Sequence, residues 1–141
     1  MTNRTFAIIK PDAVKNNYSG KIIDHILDAD FNILCVQLTR MTLAQAEGFY
    51  GIHTGKPFFE ELIQFMSSGP CWVLALEKEN AVAEWRKTIG ATNPADADEG
   101  TIRKLYASNL GENAVHGSDS DENAEIEIGF FFSESKLISC Q

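Results

Sequence analysis

The apolar positions of the chain fall into short blocks of two kinds. Continuous runs at 5–9 (TFAII) and 71–76 (CWVLAL) predict strands buried on both faces, since alternate side chains point to opposite sides and both sides are apolar. Lys10-Pro11-Asp12 closes the first run, because proline cannot continue a central ladder. A further strand is predicted over 33–41, with Leu34, Val36 and Leu38 on one face. Blocks spaced by three and four predict helices: Ile22, Ile23, Ile26 and Leu27; Leu43, Ala46, Phe49, Tyr50 and His53; Phe59 to Met66; and Val82, Trp85 and Ile89. Ser68-Gly69-Pro70 reads as a turn. Residues 90–112 form a polar, glycine-punctuated loop, and a loop that long in a compact domain points to function. A short strand near Ala114 and Val115 then leads into a last helix over 120–132. No repeat or linker interrupts this order, so residues 1–141 read as one domain. Its predicted class is an α/β layer sandwich with helices covering a four-stranded sheet.

Composition narrows the picture. Hydrophobic residues make up 44% of the 141, enough for a single packed core. A net charge of −8 argues against a general nucleic-acid binder, yet a few cations gathered in a cleft can still hold a small anion. No stretch approaches the ~20 apolar residues of a membrane span. The polar start, Met1-Thr2-Asn3-Arg4-Thr5, runs directly into the first strand without the apolar core of a signal segment. Cys35, Cys71 and Cys140 are odd in number, far apart and match no zinc spacing. They read as free thiols in a reducing compartment, and the expected location is the cytoplasm.

The run Asn113-Ala114-Val115-His116-Gly117-Ser118-Asp119-Ser120 is the richest in chemistry. Ser120 is a good N-cap, and Asp121 and Glu122 suit a first helical turn. His116 should therefore stand at a strand end near a helix N-terminus, where backbone N–H groups favour an anion. A neutral imidazole has a nucleophilic nitrogen at neutral pH but needs a second group to fix its tautomer. Glu127 falls on the helical arc of Ala124, Ile128 and Phe131, an apolar face where a carboxylate is costly unless partnered. Ser118 or His116 could partner it. On pattern alone a lone histidine after two apolar residues is more often a core or capping residue than a catalyst, and His25 and His53 read as structural or surface.

These residues resemble the active-site signature of nucleoside diphosphate kinases, and other segments match the family in order. They are Lys10-Pro11-Asp12; Phe49-Tyr50 with Lys56-Pro57-Phe58-Phe59; Met66-x-Ser68-Gly69-Pro70; Gly90-x-Thr92-Asn93-Pro94; and Gly100-Thr101-Ile102-Arg103. The resemblance implies transfer of the terminal phosphoryl group of a nucleoside triphosphate, typically ATP, to a nucleoside diphosphate. The implied reaction is ping-pong through a phosphohistidine on His116, attacking through the ring nitrogen nearer the main chain. Glu127 and Ser118 would orient that ring. Lys10, Tyr50, Arg86, Thr92, Arg103 and Asn113 fall on nucleotide-contacting positions, Phe58 on the base platform, and Leu62 and Leu110 beside it. Phosphoryl transfer depends mainly on positioning and charge stabilisation, which suits Lys10, Arg86 and Arg103. Mg²⁺ is expected to arrive held by nucleotide phosphates and water, with no protein cage.

The resemblance further implies a ferredoxin-like βαββαβ core with a four-stranded antiparallel sheet. It also implies a homo-oligomer, with a tetramer favoured over dimer or hexamer because the chain ends soon after the last helix. Lys56, where many members have arginine, and the bulky Trp85 depart from the common pattern. They bear on subunit contacts and loop packing rather than on the chemistry. Two other readings compete: a ferredoxin-like binding module without turnover, and another histidine-phosphorylated enzyme or carrier. A P-loop is excluded, because Gly55-Lys56 is followed by Pro57.

Overall fold

The computed structural model describes residues 3–141. Met1 and Thr2, the start of the polar run read as lacking a signal segment, lie outside the described residues. Four strands, β1 (Arg4–Ile9), β2 (Asn32–Thr39), β3 (Cys71–Glu77) and β4 (Val115–Gly117), form one sheet in the order β2-β3-β1-β4, and every pairing is antiparallel. Among the described residues eight α-helices accompany them: α1 (Pro11–Lys15), α2 (Ser19–Asp28), α3 (Leu43–Phe49), α4 (Phe59–Met66), α5 (Ala81–Ile89), α6 (Ile102–Tyr106), α7 (Asp121–Phe131) and α8 (Glu134–Ser139). The arrangement is ferredoxin-like.

β1 and β3 are central and buried on both sides, which is why they lack polar alternation. Phe6, Ile8, Val73 and Ala75 face a core completed by Ala46, Ile63, Met66, Ile128 and Phe132. Ala7, Ile9, Leu74 and Leu76 face the opposite core, with Ile22, Ile26, Trp85, Ile89 and Ile102. Among the described residues no helix is long and apolar enough to cross a membrane.

Four expectations change. The strand expected to reach residue 41 ends at Thr39, and a register shift between Ile33 and Cys35 buries Cys35 while leaving Val36 and Leu38 exposed. The helix expected to include His53 stops at Phe49, and Gly51–His53 continues as a 3₁₀ turn. Pro11 does more than end β1: it starts α1, since proline at the first helical position has no N–H to leave unsatisfied. The expected loop 90–112 contains a 3₁₀ turn, Pro94–Asp96, and α6, whose Thr101 side chain accepts the Lys104 N–H at 3.3 Å.

The cysteine expectation is overturned for two of three residues. Cys35 on β2 and Cys140 after α8 form a disulfide across 105 residues of sequence, and only Cys71, buried, is a free thiol. Leu137 inserts into the first core, so α8 brings Cys140 to the edge strand.

Candidate active site

β4 pairs with β1 so that His116 lies opposite Ile8, which turns its ring toward α3 and α7. Phe6, Phe49 and Tyr50 surround it edge-on, with ring centroids 6.2, 5.5 and 6.4 Å away. Ser120 starts α7 by accepting the Asn123 N–H at 3.1 Å, and the helix then carries Glu127 back over the ring. His116 Nε2 lies 2.7 Å from Glu127 Oε1. The same oxygen accepts the Ser118 hydroxyl at 2.9 Å, while Ser118 Oγ accepts the Phe6 N–H at 3.3 Å. A carboxylate only accepts, so Nε2 carries the proton and Nδ1 keeps its lone pair. Burial pulls the His116 pKa below its usual 6.5; Glu127 opposes the fall, and the charges of Lys10 and Arg103 add to it. The imidazole is therefore neutral at pH 7.

The strand carrying the histidine is also fixed from behind. The fully buried Trp85 donates from Nε1 to the His116 carbonyl at 3.1 Å. A Cβ at Gly117 would lie 2.7 Å from Trp85 Cδ1, so the indole requires glycine there. The bulk of Trp85 is thus matched to the strand end, and its contact reaches the main chain of His116.

Three cations, Lys10, Arg86 and Arg103, crowd the region, with the carboxylates of Asp12 beside Lys10 and of Asp96 and Asp98 on the larger cavity as partial counter-charges. Lys10 is 8% exposed, and its Nζ donates to Asn113 Oδ1 at 2.8 Å. Burial pushes its pKa down from 10.5 to about 8, with Arg103 adding to the fall and Asp12 opposing it. Arg103 is equally buried and donates from Nη1 to the Gly90 carbonyl at 3.0 Å and from Nη2 to the Val115 carbonyl at 2.9 Å. Burial first, then Arg86, lowers its pKa to about 10. Its Nε is buried without a partner. Gly90 itself, at φ 87°, leaves room for Thr101, whose Oγ1 would be 2.6 Å from any Cβ. Mutually repelling, partly desolvated cations of this kind favour an incoming polyanion.

Two cavities meet at Gly117. The larger, about 510 Å³, is lined by Arg86, Thr92 and Arg103 among others. The smaller, about 120 Å³, is lined by Tyr50, His53, His116 and Glu127, with Asp119 and Asn123 at its edge. Lys10 and Asn113 line neither cavity, but Asn113 Nδ2 donates to the carbonyl of Thr92, on the larger one, at 3.1 Å. Tyr50 OH is buried without a partner. Phe58, Leu62 and Leu110 line neither of these two cavities. Phe58 is 47% exposed beside His53 at 5.2 Å between ring centroids, Leu62 packs on the core, and Leu110 is exposed. Sequence reasoning missed His53, Trp85 and Asp12. His53 carried a signal in its spacing from Phe49 and Tyr50; Trp85 read as an apolar helix position and as a bulky departure from the family pattern, not as a residue that reaches the His116 main chain.

The fold and this site define a nucleotide phosphotransferase. The nucleoside diphosphate kinase family model matches residues 3–137. A nucleoside diphosphate kinase of Flavobacterium psychrophilum is 58% identical over 131 residues, 93% of this chain and 94% of that protein. The Aquifex aeolicus nucleoside diphosphate kinase superposes with a TM-score of 0.94 at 40% identity, covering 96% of this chain and 99% of the other. A halophilic nucleoside diphosphate kinase from Halobacterium salinarum, in complex with CDP, gives 0.91 at 34% identity, covering 96% and 91%. The chain belongs to the nucleoside diphosphate kinase family. It is an enzyme that transfers the terminal phosphoryl group of a nucleoside triphosphate to a nucleoside diphosphate.

Proposed function

We propose that His116 carries the phosphoryl group, accepting it on Nδ1 from the triphosphate and giving it to the diphosphate. The observation behind this reading is the 2.7 Å contact from Nε2 to Glu127, which leaves Nδ1 as the basic nitrogen. As the N–P bond forms, positive charge develops on the ring and Glu127 stabilises it. The γ-phosphorus–oxygen bond breaks and the nucleoside diphosphate leaves. The second half-reaction reverses these events on a new acceptor. Ser118 holds Glu127 in place. Lys10, Arg86 and Arg103 supply charge to the phosphoryl oxygens, and Thr92 and Tyr50 supply hydroxyls. Asn113 ties Lys10 to the Thr92 loop and presents its remaining amide N–H to the ligand. Phe58 stacks the base, flanked by Leu62 and Leu110; a π-face is indifferent to base identity, which fits an enzyme of broad nucleotide range.

We read Mg²⁺ as a passenger of the nucleotide, bound to phosphates and water. The larger cavity mixes Arg86, Lys87 and Arg103 with Asp96 and Asp98, and among the described residues no cluster of three metal-ligating side chains occurs, which suits a metal that travels with a negatively charged nucleotide. When bound with the nucleotide, the metal would neutralise part of the phosphate charge. Residues 1–141 act as one catalytic domain in this reading. Exposed Val36 and Leu38 on the edge strand, and Leu27 on α2, fit contact with further copies, as a tetramer before a dimer or hexamer. Its substrates are nucleotides, with neither nucleic acid nor membrane as partner. The cytoplasm remains the location this reading gives it, although the Cys35–Cys140 pair runs against a strongly reducing compartment.

The test is incubation with γ-labelled ATP and Mg²⁺ without acceptor, followed by peptide mapping. Acid-labile label on the peptide containing His116 is expected. Label on another residue, or none, would overturn the reading.

A further inference from the structure

Ala114, two residues before His116, is fully buried and has φ 71°, in the left-handed region that residues with a Cβ rarely adopt. The Val115 N–H donates to the Asn113 carbonyl at 2.8 Å, which closes a three-residue turn around Ala114. A γ-turn with positive φ at its centre is rare and strained, and it persists only where the surroundings hold it. Two contacts do so here, both from the junction of β1 and α1. The Lys10 N–H donates to the Ala114 carbonyl at 2.8 Å, and the Ala114 N–H donates to Asp12 Oδ2 at 3.1 Å.

Asp12 is not comfortable in this position. It is 5% exposed, Oδ1 has no full hydrogen bond, and burial pushes its pKa up despite the opposing pull of the Ala114 N–H, the Lys10 charge and the N–H groups of Ala13 and of Asp12 itself. A carboxylate buried this way is unfavourable for its own sake. What it holds explains its presence. On one side of the turn Asn113 accepts from Lys10 Nζ and donates to the Thr92 loop. On the other side the chain runs straight into Val115 and His116. A relaxed Ala114 would turn Asn113 away from Lys10 and shift the start of β4.

We propose that Asp12 is a positioning residue for phosphoryl transfer: its carboxylate clamps the Ala114 turn, and through that turn it sets Asn113 against Lys10 and His116 against Glu127. The inference rests on the reading of His116 as the phosphorylated residue. The rival role for Asp12 is purely electrostatic, as a counter-charge to Lys10. Substitutions separate the two. Asp12→Asn keeps an acceptor oxygen for the Ala114 N–H and removes the charge. Asp12→Glu keeps the charge and displaces the acceptor by one methylene. Ala114→Gly removes the Cβ that makes positive φ costly, so the turn no longer needs the clamp.

The experiment measures the rate of phosphoenzyme formation from γ-labelled ATP and Mg²⁺, together with kcat and KM. It uses full-length protein shown to be folded by circular dichroism and includes His116→Ala as the blank. With Asp12→Ala and Asp12→Glu, phosphorylation and kcat should fall by about 10–100-fold, with less change in KM, as expected for a misplaced reacting group. Asp12→Asn should stay within about threefold of wild type, because the acceptor survives. Adding Ala114→Gly to Asp12→Glu should restore at least about tenfold of the lost rate, because glycine adopts the turn unaided. Should Asp12→Ala fail to fold, Asp12→Glu and its glycine double variant carry the test alone. Wild-type rates in Asp12→Glu, a loss in Asp12→Asn as large as in Asp12→Ala, or no rescue by glycine would each overturn the clamp. If wild type itself shows no label on His116, the reading of the site fails instead, and the two failures are distinguishable.

Discussion

Replacing Lys10 with methionine should make the nucleotide-free protein more stable while disabling it. The Lys10 ammonium is 8% exposed, faces Arg103, and has its pKa pushed from 10.5 to about 8. At about 1.4 kcal/mol per pH unit, keeping it charged at neutral pH costs the fold about 3 kcal/mol. Methionine has similar length and no charge to desolvate. It does abandon the 2.8 Å bond to Asn113 Oδ1, and a buried acceptor left unpartnered costs about 1–2 kcal/mol. The balance is a gain of about 1–2 kcal/mol, or roughly 3–8 °C in Tm for a chain of this size. The assay is calorimetry without nucleotide at fixed protein concentration, at pH 7 and pH 9. The sign is definite: a folded pKa below the unfolded one means that the unfolded chain holds more protons in this window, so wild-type stability rises with pH. Lys10 alone contributes a rise of about 1.4 kcal/mol between pH 7 and 9, which the methionine variant should lack. Turnover in the variant should fall by about 10²-fold, the usual loss for one charge-stabilising donor. A variant that melts lower than wild type at pH 7, or keeps the wild-type pH slope, would refute the view of Lys10 as a cation held at a cost in order to bind phosphate.

Other predictions rest on separate contacts. Glu127→Gln removes the charge that raises the His116 pKa and stabilises the phosphorylated ring. Its phosphorylation rate should drop by about 10–100-fold, as for loss of a charged hydrogen bond, and the acid limb of the pH–rate profile should move to lower pH. An unmoved limb would show that Glu127 does not act on the ring. Thiol titration should find one reactive group, Cys71, in the unfolded unreduced protein and three after reduction; three without reduction would contradict the Cys35–Cys140 bond. Phe58→Ala should weaken binding of every nucleotide alike, by about 1–3 kcal/mol, and the emergence of a base preference would contradict a stacking role.

Much of the fold was legible because the central strands, apart from Thr5 and their outer ends, are apolar on both faces: TFAII and CWVLAL read as strands with helices on both sides. The edge strand was less so, since the register shift at Ile33/Cys35 depends on pairing with β3 rather than on any local pattern. Short helices escaped a periodicity argument. α6 and α8 span five and six residues, too few for a stripe, although Thr101 and Ser133 are recognisable caps in hindsight. At the site, the residues with chemistry in their side chains stood out as a linear motif. Those that act on backbone did not: Trp85 works through the His116 carbonyl, and Asp12 through the Ala114 N–H. The Cys35–Cys140 pairing lies across 105 residues and has no sequence signal of its own.

The central claim is that His116 passes a phosphoryl group between two nucleotides that are never bound together. The most direct measurement isolates the enzyme after exposure to γ-labelled ATP and Mg²⁺, frees it of nucleotide by gel filtration, and then adds GDP. The account predicts that the label leaves the protein and appears as GTP, and that His116→Ala neither takes up label nor converts GDP. Label retained on the isolated enzyme after GDP is added, or turnover by His116→Ala, would contradict it.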